Sequence, residues 1–202
     1  YDAFGLIYYV WKKNKDIKSI KDFSIKEKIK GKIGTFSFKE GEVRQDLKIY
    51  KAEKKKPTAR VALLIGCVQR VVSPQINEST IRVLTRHGVE VITMPEIECC
   101  GSLNHHLGKE ELAKETFKKN INMWYDEYLK NGLDAIISNT SGCGTTLKDY
   151  GFVFRNDNEL KKKAKKISEL TKDITEFLDQ NLKLSFKSDK VTKKYNIAYH
   201  SA

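Results

Sequence analysis

The 202-residue sequence has no apolar run long enough to cross a bilayer. It also lacks the signal pattern of a basic start, an apolar middle and small residues. The apolar opening at residues 3–11 is too short to form a span. These absences predict an intracellular, cytoplasmic chain that is soluble or peripheral on a membrane. Because the chain begins with Tyr1 and a strand-like run ends it, we expect a piece of a longer protein.

Arginine is scarce although the chain is strongly basic. The formal charge is +12, yet only six of the 38 basic residues are arginine. No arginine and aromatic motif of the kinds that read bases is present. We therefore expect a solvated lysine surface and no nucleic-acid partner, with an anionic membrane surface as the remaining reason for the charge.

Cysteine is limited to four residues, which stand in three short groups: GCV at 66–68, ECCG at 98–101 and SGCG at 141–144. Without a secretory signal, a disulfide framework is disfavoured because the cytosol keeps thiols reduced. The adjacent pair Cys99 and Cys100 is also awkward to bridge, since disulfide geometry is specific. Ligation or catalysis is the better interpretation of these thiols.

Each cysteine group follows an apolar run that predicts a buried strand, at residues 61–65, 89–94 and 133–138. Helical patterns separate the runs, which predicts an α/β fold with right-handed crossovers. We expect an open parallel, Rossmann-like sheet with helices on both faces. Ligands of such sheets bind beyond the carboxyl ends of the strands, so the cysteines would gather at that edge.

The helices are predicted from capping residues and apolar spacing. The first begins at Ser73 and Pro74 and ends at Gly88, and the second runs to about Lys130. A third helical pattern covers residues 160–177, and Ile197–His200 is predicted to be a fourth strand. The apolar stripes are Ile76, Thr80, Val83, Leu84 and His87 in the first helix, and Ala113, Phe117, Ile121, Trp124 and Tyr128 in the second.

The domain organisation follows from the change of pattern near residue 57. Residues 1–56 are expected to be a basic linker and contact region. Residues 57–195 are expected to be the cysteine-containing domain, and residues 196–202 the start of a further one.

Four explanations of the cysteines are open from the residues alone. Iron–sulfur clusters take soft thiolates from scattered loops. Structural zinc fits less well, because the chain has no C-x2-C pair. A cysteine nucleophile beside His105 or His106 would explain one thiol only. Four buried free cysteines would predict no grouping at strand ends.

The three cysteine segments resemble a known family. The runs VALLIGCVQRVVSPQINESTIRVLTRHGVEV, ECCGSLNHHLG and SNTSGCGTTLKDYG resemble the CCG cysteine-rich domain of the iron–sulfur subunit of glycolate oxidase, or glycolate dehydrogenase. Related domains occur in lactate-utilisation proteins, heterodisulfide reductases and anaerobic glycerol-3-phosphate dehydrogenase. The resemblance covers about residues 57–202, and it implies that residues 1–56 are the tail of an N-terminal ferredoxin-like region that this sequence lacks.

The resemblance implies an iron–sulfur cluster, of the 4Fe-4S type or noncubane as in some relatives. Thr140 stands where the family's C-x-x-C begins, which puts the noncubane type in doubt. The implied ligands are Cys67, Cys99, Cys100 and Cys143. The implied surroundings that tune or orient them are Gly66, Gly101, Asn104, His105, His106, Thr140, Gly142 and Gly144.

The function implied by the resemblance is electron transfer, without a substrate pocket or catalytic residue in this chain. A flavin subunit of a glycolate or other 2-hydroxy acid dehydrogenase would deliver electrons, and a membrane acceptor would receive them. Peripheral contact with a membrane would follow. A cluster-free docking scaffold, or a redox subunit of another branch of the family, remains the alternative.

Overall fold

The computed structural model describes residues 48–94, 96–97 and 99–182. In this part of the chain, five strands form one sheet in the order β1-β3-β2-β4-β5. The last four strands run parallel, and β1 pairs antiparallel with β3 at the edge. The strands are β1 (Lys48–Tyr50), β2 (Ala59–Leu63), β3 (Val89–Thr93), β4 (Ala135–Ser138) and β5 (Thr171–Asp173).

Helices connect the parallel strands. The longest of them follows Lys109 and ends where Gly132, at φ +77°, turns the chain toward β4. The helices are α1 (Gln69–Val72), α2 (Pro74–Arg86), α3 (Ser102–His106), α4 (Glu110–Asn131), α5 (Ser141–Val153), α6 (Lys161–Leu170) and α7 (Ile174–Gln180).

One face of the sheet packs against α4, α5 and α6. Ala62, Ile92 and Ile136 point to this side from three neighbouring strands and join the larger core cluster. Trp124 of α4 is 1% exposed there, which confirms its expected place in the core. The other residues of its predicted stripe are buried or half-buried as well. This face holds most of the buried apolar surface that stabilises the domain.

The opposite face packs against α2 and α7. Val61, Val91 and Ile137 alternate with the residues of the first face, as successive strand residues must. Leu84 of α2 and Phe177 of α7 complete this smaller cluster, and both side chains are 0% exposed. Helices on both faces of a mostly parallel sheet make the fold α/β, which confirms the predicted class.

The sheet differs from the predicted one in two details. The sheet is not wholly parallel, because β1 is antiparallel. The fourth parallel strand is β5 at Thr171–Asp173, a short segment that the sequence pattern did not separate from the helical pattern around it. The strand predicted at residues 197–200 lies outside the described residues.

One residue of the pattern predicted for α2, Ile76, does not face the core, whereas the other four are buried or half-buried. Ile76 is 42% exposed, whereas Asn77 beside it is 7% exposed. A polar side chain takes the inward position because it hydrogen-bonds the loop after β2. Apolar spacing alone could not predict this exchange.

Strand β1 lies within the region that the sequence set apart at 1–56. It pairs with β3 over three residues. The boundary near residue 57 and the further domain at 196–202 stay predictions. In the described part of the chain, no helix combines the length and the apolar character that a membrane span requires.

Candidate metal centre

The centre of the sheet is a topological switch point. From β2 the chain moves to β3 on one side and then returns to β4 on the other, so the loops after β2 and β4 diverge there. Crevices of this kind are where open α/β sheets bind ligands. Cys67 and Cys143 belong to these two segments, and Cys99 and Cys100 belong to the segment after β3.

Cys67 follows a sharp turn after β2. Gly66 before it has φ +70°, a left-handed conformation that glycine adopts without strain. Cys67 is half-buried, and Gln69 begins α1 two residues later. The turn therefore ends the strand and directs the Cys67 thiol into the crevice region.

Cys99 and Cys100 are held by the start of α3. Gly101 has φ +81°, and its N–H donates to the Cys99 sulfur over 3.3 Å. The N–H of Ser102 approaches the Cys100 sulfur at 3.5 Å. A Cβ on Gly101 would lie 2.5 Å from Cε1 of Phe117, so no other residue fits here without movement. The glycine of CCG is thus fixed by both backbone conformation and packing.

The sequence predicts a loop at residues 139–146, but Cys143 lies in the first turn of α5. Helix α5 begins at Ser141, so the amide dipoles of its N-terminus lie beside the thiol. This position favours a thiolate. The next residue, Gly144, is buried. A Cβ added to it would lie 3.4 Å from the Cβ of Ser138. Close approach of α5 to β4 is what brings Cys143 inward.

The four thiols form a continuous row of hydrogen-bonded contacts. Cys67 contacts Cys99, Cys99 contacts Cys100, and Cys100 donates to Cys143 with 3.1 Å between the sulfurs. The three segments therefore deliver all four sulfurs to one place.

The contacts divide the thiols into two kinds. Contact with Cys100 and Cys67 lowers the pKa of Cys99, and contact with Cys100 lowers the pKa of Cys143. The same contacts, followed by burial, raise the pKa of Cys67 and of Cys100. Along the row, thiols with a raised pKa alternate with thiols with a lowered pKa.

The four cysteine sulfurs are suitable ligands for a soft metal ion or cluster, although they lie close to one another. Thiolate sulfur is the ligand that iron–sulfur clusters and Cu(I) or zinc select. Sulfurs around one zinc ion would lie about 3.8 Å apart for bonds of about 2.3 Å, which exceeds the Cys100–Cys143 separation. Accordingly, the described side chains contain no set of three His, Cys, Asp or Glu that already surrounds a metal position. Ligation requires the thiols to move apart.

Two buried polar side chains hydrogen-bond the backbone of Cys99 and Cys100. Asn120 of α4 donates to the Cys99 carbonyl over 2.7 Å, and the Tyr150 hydroxyl of α5 donates to the Cys100 carbonyl over 2.7 Å. Asn120 also donates to the Tyr150 oxygen over 3.1 Å. Burial raises the pKa of Tyr150 well above its usual value, so the hydroxyl keeps its proton.

A second polar network joins the segments after β2 and β4. The Thr140 hydroxyl donates to Gln69 over 2.6 Å, and Gln69 donates to Asn77 and Asn139 over 2.8 and 2.6 Å. Asn77 in turn donates to the Ile65 carbonyl over 2.7 Å. Thr140 is therefore a structural tie across the switch point, placed three residues before Cys143.

The remaining residues that were predicted to surround the cysteines lie on two different helices. Asn104, His105 and His106 lie on α3, with both histidines exposed and His105 packed edge-on against Phe117 at 5.8 Å between ring centroids. Gly142 lies in the first turn of α5 with open space around its Cα. The described contacts place neither histidine against a thiol. Their role in tuning the site stays a prediction.

Sequence reasoning missed Asn120, Tyr150, Gln69, Asn77 and Asn139. A signal existed for Asn120, since it lies three residues after Phe117 and four before Trp124, inside the apolar stripe of α4. A polar residue on a buried face indicates a hydrogen-bond partner there. The other four residues carry no comparable signal.

Comparison with protein families identifies the segment that carries the four cysteines. Residues 61–148 match the model of the CCG cysteine-rich domain. Residues 61–148 are a CCG domain. The family resemblance predicted from the cysteine motifs is thereby confirmed. The CCG domain includes Cys67, Cys99, Cys100 and Cys143, together with Asn120 and Thr140.

Curated relatives of the CCG domain bear redox-subunit names. The chain is 36% identical over 143 residues to the glycolate oxidase iron-sulfur subunit of Escherichia coli strain K12, and 33% over 119 residues to the probable glycolate oxidase iron-sulfur subunit of Bacillus subtilis strain 168. It is 31% identical over 127 residues to lactate utilization protein A of Bacillus cereus strain B4264.

These matches are partial on both sides. They cover 70%, 59% and 62% of this chain, but only 34%, 26% and 50% of the respective relatives. The chain thus spans about a third of the E. coli subunit. No significant match exists among the solved structures.

Proposed function

We propose that this chain is an iron–sulfur component of an oxidoreductase. The observation that carries the proposal is the gathering of four thiols, from three segments of a CCG domain, at the switch point of the sheet. The names of the relatives support it, since they describe iron-sulfur subunits. Cys67, Cys99, Cys100 and Cys143 are the proposed ligands.

A bound cluster would supply one-electron storage and transfer. The residues around it supply orientation and charge balance. The N–H of Gly101 and the first turn of α5 direct positive ends of backbone dipoles at sulfur, which favours anionic ligands. Cluster ligands are thiolates, so loading would release the protons of the four thiols. We propose the 4Fe-4S type, because Thr140 occupies the position where a further cysteine ligand would stand.

The finer assignment is a subunit of a glycolate-type 2-hydroxy acid dehydrogenase. In this role the chain receives electrons from a flavin subunit and passes them to a membrane acceptor. The relatives' names support the glycolate and lactate classes of substrate. The chain carries no catalytic residue for the oxidation itself in this proposal.

The test is the iron and acid-labile sulfide content of the 202-residue chain after anaerobic reconstitution, with its absorption spectrum. We expect iron and sulfide in equal amounts, and their loss in Cys143→Ser. The matched control is Ser141→Ala, which changes an exposed residue of the same helix turn and should keep both. A folded, colourless, iron-free chain would refute the proposal.

The assignment to a glycolate-type 2-hydroxy acid dehydrogenase needs a second experiment. The reconstituted chain is mixed with the flavin subunit of the E. coli relative, and glycolate or lactate is added under argon. Bleaching of the cluster absorption with one of these acids supports the dehydrogenase role. If neither acid bleaches a cluster that dithionite does reduce, another branch of the family is indicated.

A cluster-free docking scaffold is the second candidate. Thr140 favours it, because its hydroxyl is already engaged with Gln69 and offers no sulfur. The iron analysis above decides between the two.

A further inference from the structure

The Asn120 and Tyr150 side chains form a buried polar pair directed at the Cys99–Cys100 backbone. Asn120 is 1% exposed and Tyr150 is 0% exposed, on a face of the sheet whose buried residues are mostly apolar. Buried polar groups in proteins are hydrogen-bonded. Here the two side chains donate to two consecutive backbone carbonyls, those of Cys99 and Cys100. The pair therefore fixes one short segment rather than linking helix to helix alone.

The same pair relates that segment to Cys143. Tyr150 lies seven residues after Cys143 on α5, which places both on one face of the helix, two turns apart. One end of this rigid element carries the Cys143 sulfur, and the other holds the Cys100 carbonyl. Because α5 is a continuous helix, the Tyr150 hydrogen bond ties the Cys100 backbone to the element that carries Cys143.

Asn120 performs the corresponding task for Cys99 from helix α4. Its amide donates to the Cys99 carbonyl and to the Tyr150 oxygen, so the two helices hold the segment jointly. Phe117, one turn before Asn120, packs against the Tyr150 ring at 4.5 Å between centroids and limits its movement. The Cys99–Cys100 peptide is therefore held at two adjacent points.

We propose that Asn120 and Tyr150 are positioning residues that orient Cys99 and Cys100 so that both thiols join Cys67 and Cys143 in binding one metal group. This inference rests on the proposed function for the nature of that group. Neither side chain is a ligand in it. Each acts through a main-chain carbonyl.

The test compares Tyr150→Phe with Thr171→Val in the 202-residue chain. Tyr150→Phe removes one hydroxyl and keeps the ring. Thr171→Val removes a hydroxyl that is also buried and hydrogen-bonded to a carbonyl, but on β5 and away from the cysteines. Two readouts are taken: iron content with the electron paramagnetic resonance spectrum after reconstitution, and Co²⁺ affinity of the unreconstituted chain from its thiolate-to-cobalt absorption.

We expect Tyr150→Phe to bind Co²⁺ about 10- to 100-fold more weakly, as for other residues that orient metal ligands, and to show an altered cluster spectrum. Thr171→Val should match the unsubstituted chain in both. Equal Co²⁺ affinity and identical spectra in Tyr150→Phe would overturn the inference. If the unsubstituted chain binds Co²⁺ through thiolates but assembles no cluster, the proposed function fails while a weakened Tyr150→Phe still supports the positioning role.

Asn120→Ala provides a second variant, which removes the bond to Cys99 and leaves the Tyr150 hydroxyl in place. Weakened Co²⁺ binding with retained folding supports the inference. If neither variant folds, or if the unsubstituted chain binds neither Co²⁺ nor a cluster, the inference is overturned, because the pair then only supports the fold.

Discussion

Gly101→Ala is the substitution for which the structure predicts the most specific loss of stability. A side chain at φ +81° is disfavoured by about 1–2 kcal/mol. The added Cβ would also lie 2.5 and 2.8 Å from two carbons of the Phe117 ring, and overpacking of this kind costs about 1–3 kcal/mol. Phe117 is 0% exposed and packed against Tyr150, so the ring has little room to move. The expected loss is about 2–5 kcal/mol of the free energy of unfolding.

The assay is urea unfolding of the reduced chain in the presence of a chelator, followed by far-ultraviolet circular dichroism. Gly108→Ala is the matched control, since Gly108 has φ +72° and no atom within 4 Å of its added Cβ. It should lose only the conformational part, about 1–2 kcal/mol. Equal losses in the two variants would refute the packing argument.

A double substitution isolates the contact further. Phe117→Leu shortens the side chain that the new Cβ would meet. In the pair Gly101→Ala and Phe117→Leu, the combined loss should be smaller than the sum of the single losses by about 0.5–3 kcal/mol. Strict additivity would show that the ring is not the obstacle.

Three further predictions concern the scaffold. Trp124→Ala should cost about 3–5 kcal/mol in urea unfolding, and a loss below about 1 kcal/mol would contradict its place in the core. Glu127→Gln should cost about 1–3 kcal/mol, because Arg60, whose side chain is 18% exposed, loses an ionised partner. Lys148 donates to Glu176 and lowers the pKa of that carboxyl, so this contribution is complete above pH 4.5 and is lost as pH falls below it. Thermal unfolding of Glu176→Gln should therefore vary less with pH below 4.5, and an unchanged acid profile would oppose this.

The fold was predictable to the extent that it follows from apolar spacing. The strands before the cysteine groups and the stripe of α4 are where the pattern places them, because burial on one or two faces leaves a period in the sequence. Strand β5 was missed because three residues, Thr171–Asp173, are too few to show a period. The sequence does indicate an extended segment at residues 47–50, where β1 lies, but not its antiparallel pairing with β3.

The site was predictable only in part. Cysteines at three strand ends indicate a common edge, since parallel strands share their direction. The hydrogen-bond partners of Asn120 and Thr140 could not be predicted, because they depend on how α4 approaches the segment after β3 and how the segment after β4 approaches α1. Residues of this kind are identified by three-dimensional proximity, and a single sequence holds little information about it.

The outer strands of the sheet, β1 and β5, affect how this protein meets other chains. An unpaired strand edge is a template on which another strand can add, which leads to aggregation. In the described part of the chain, each outer strand has three residues, and each includes a lysine, Lys48 or Lys172. Short edges with charged side chains resist such addition. Association with the proposed redox partner should therefore use the side chains of helices and loops rather than extension of the sheet.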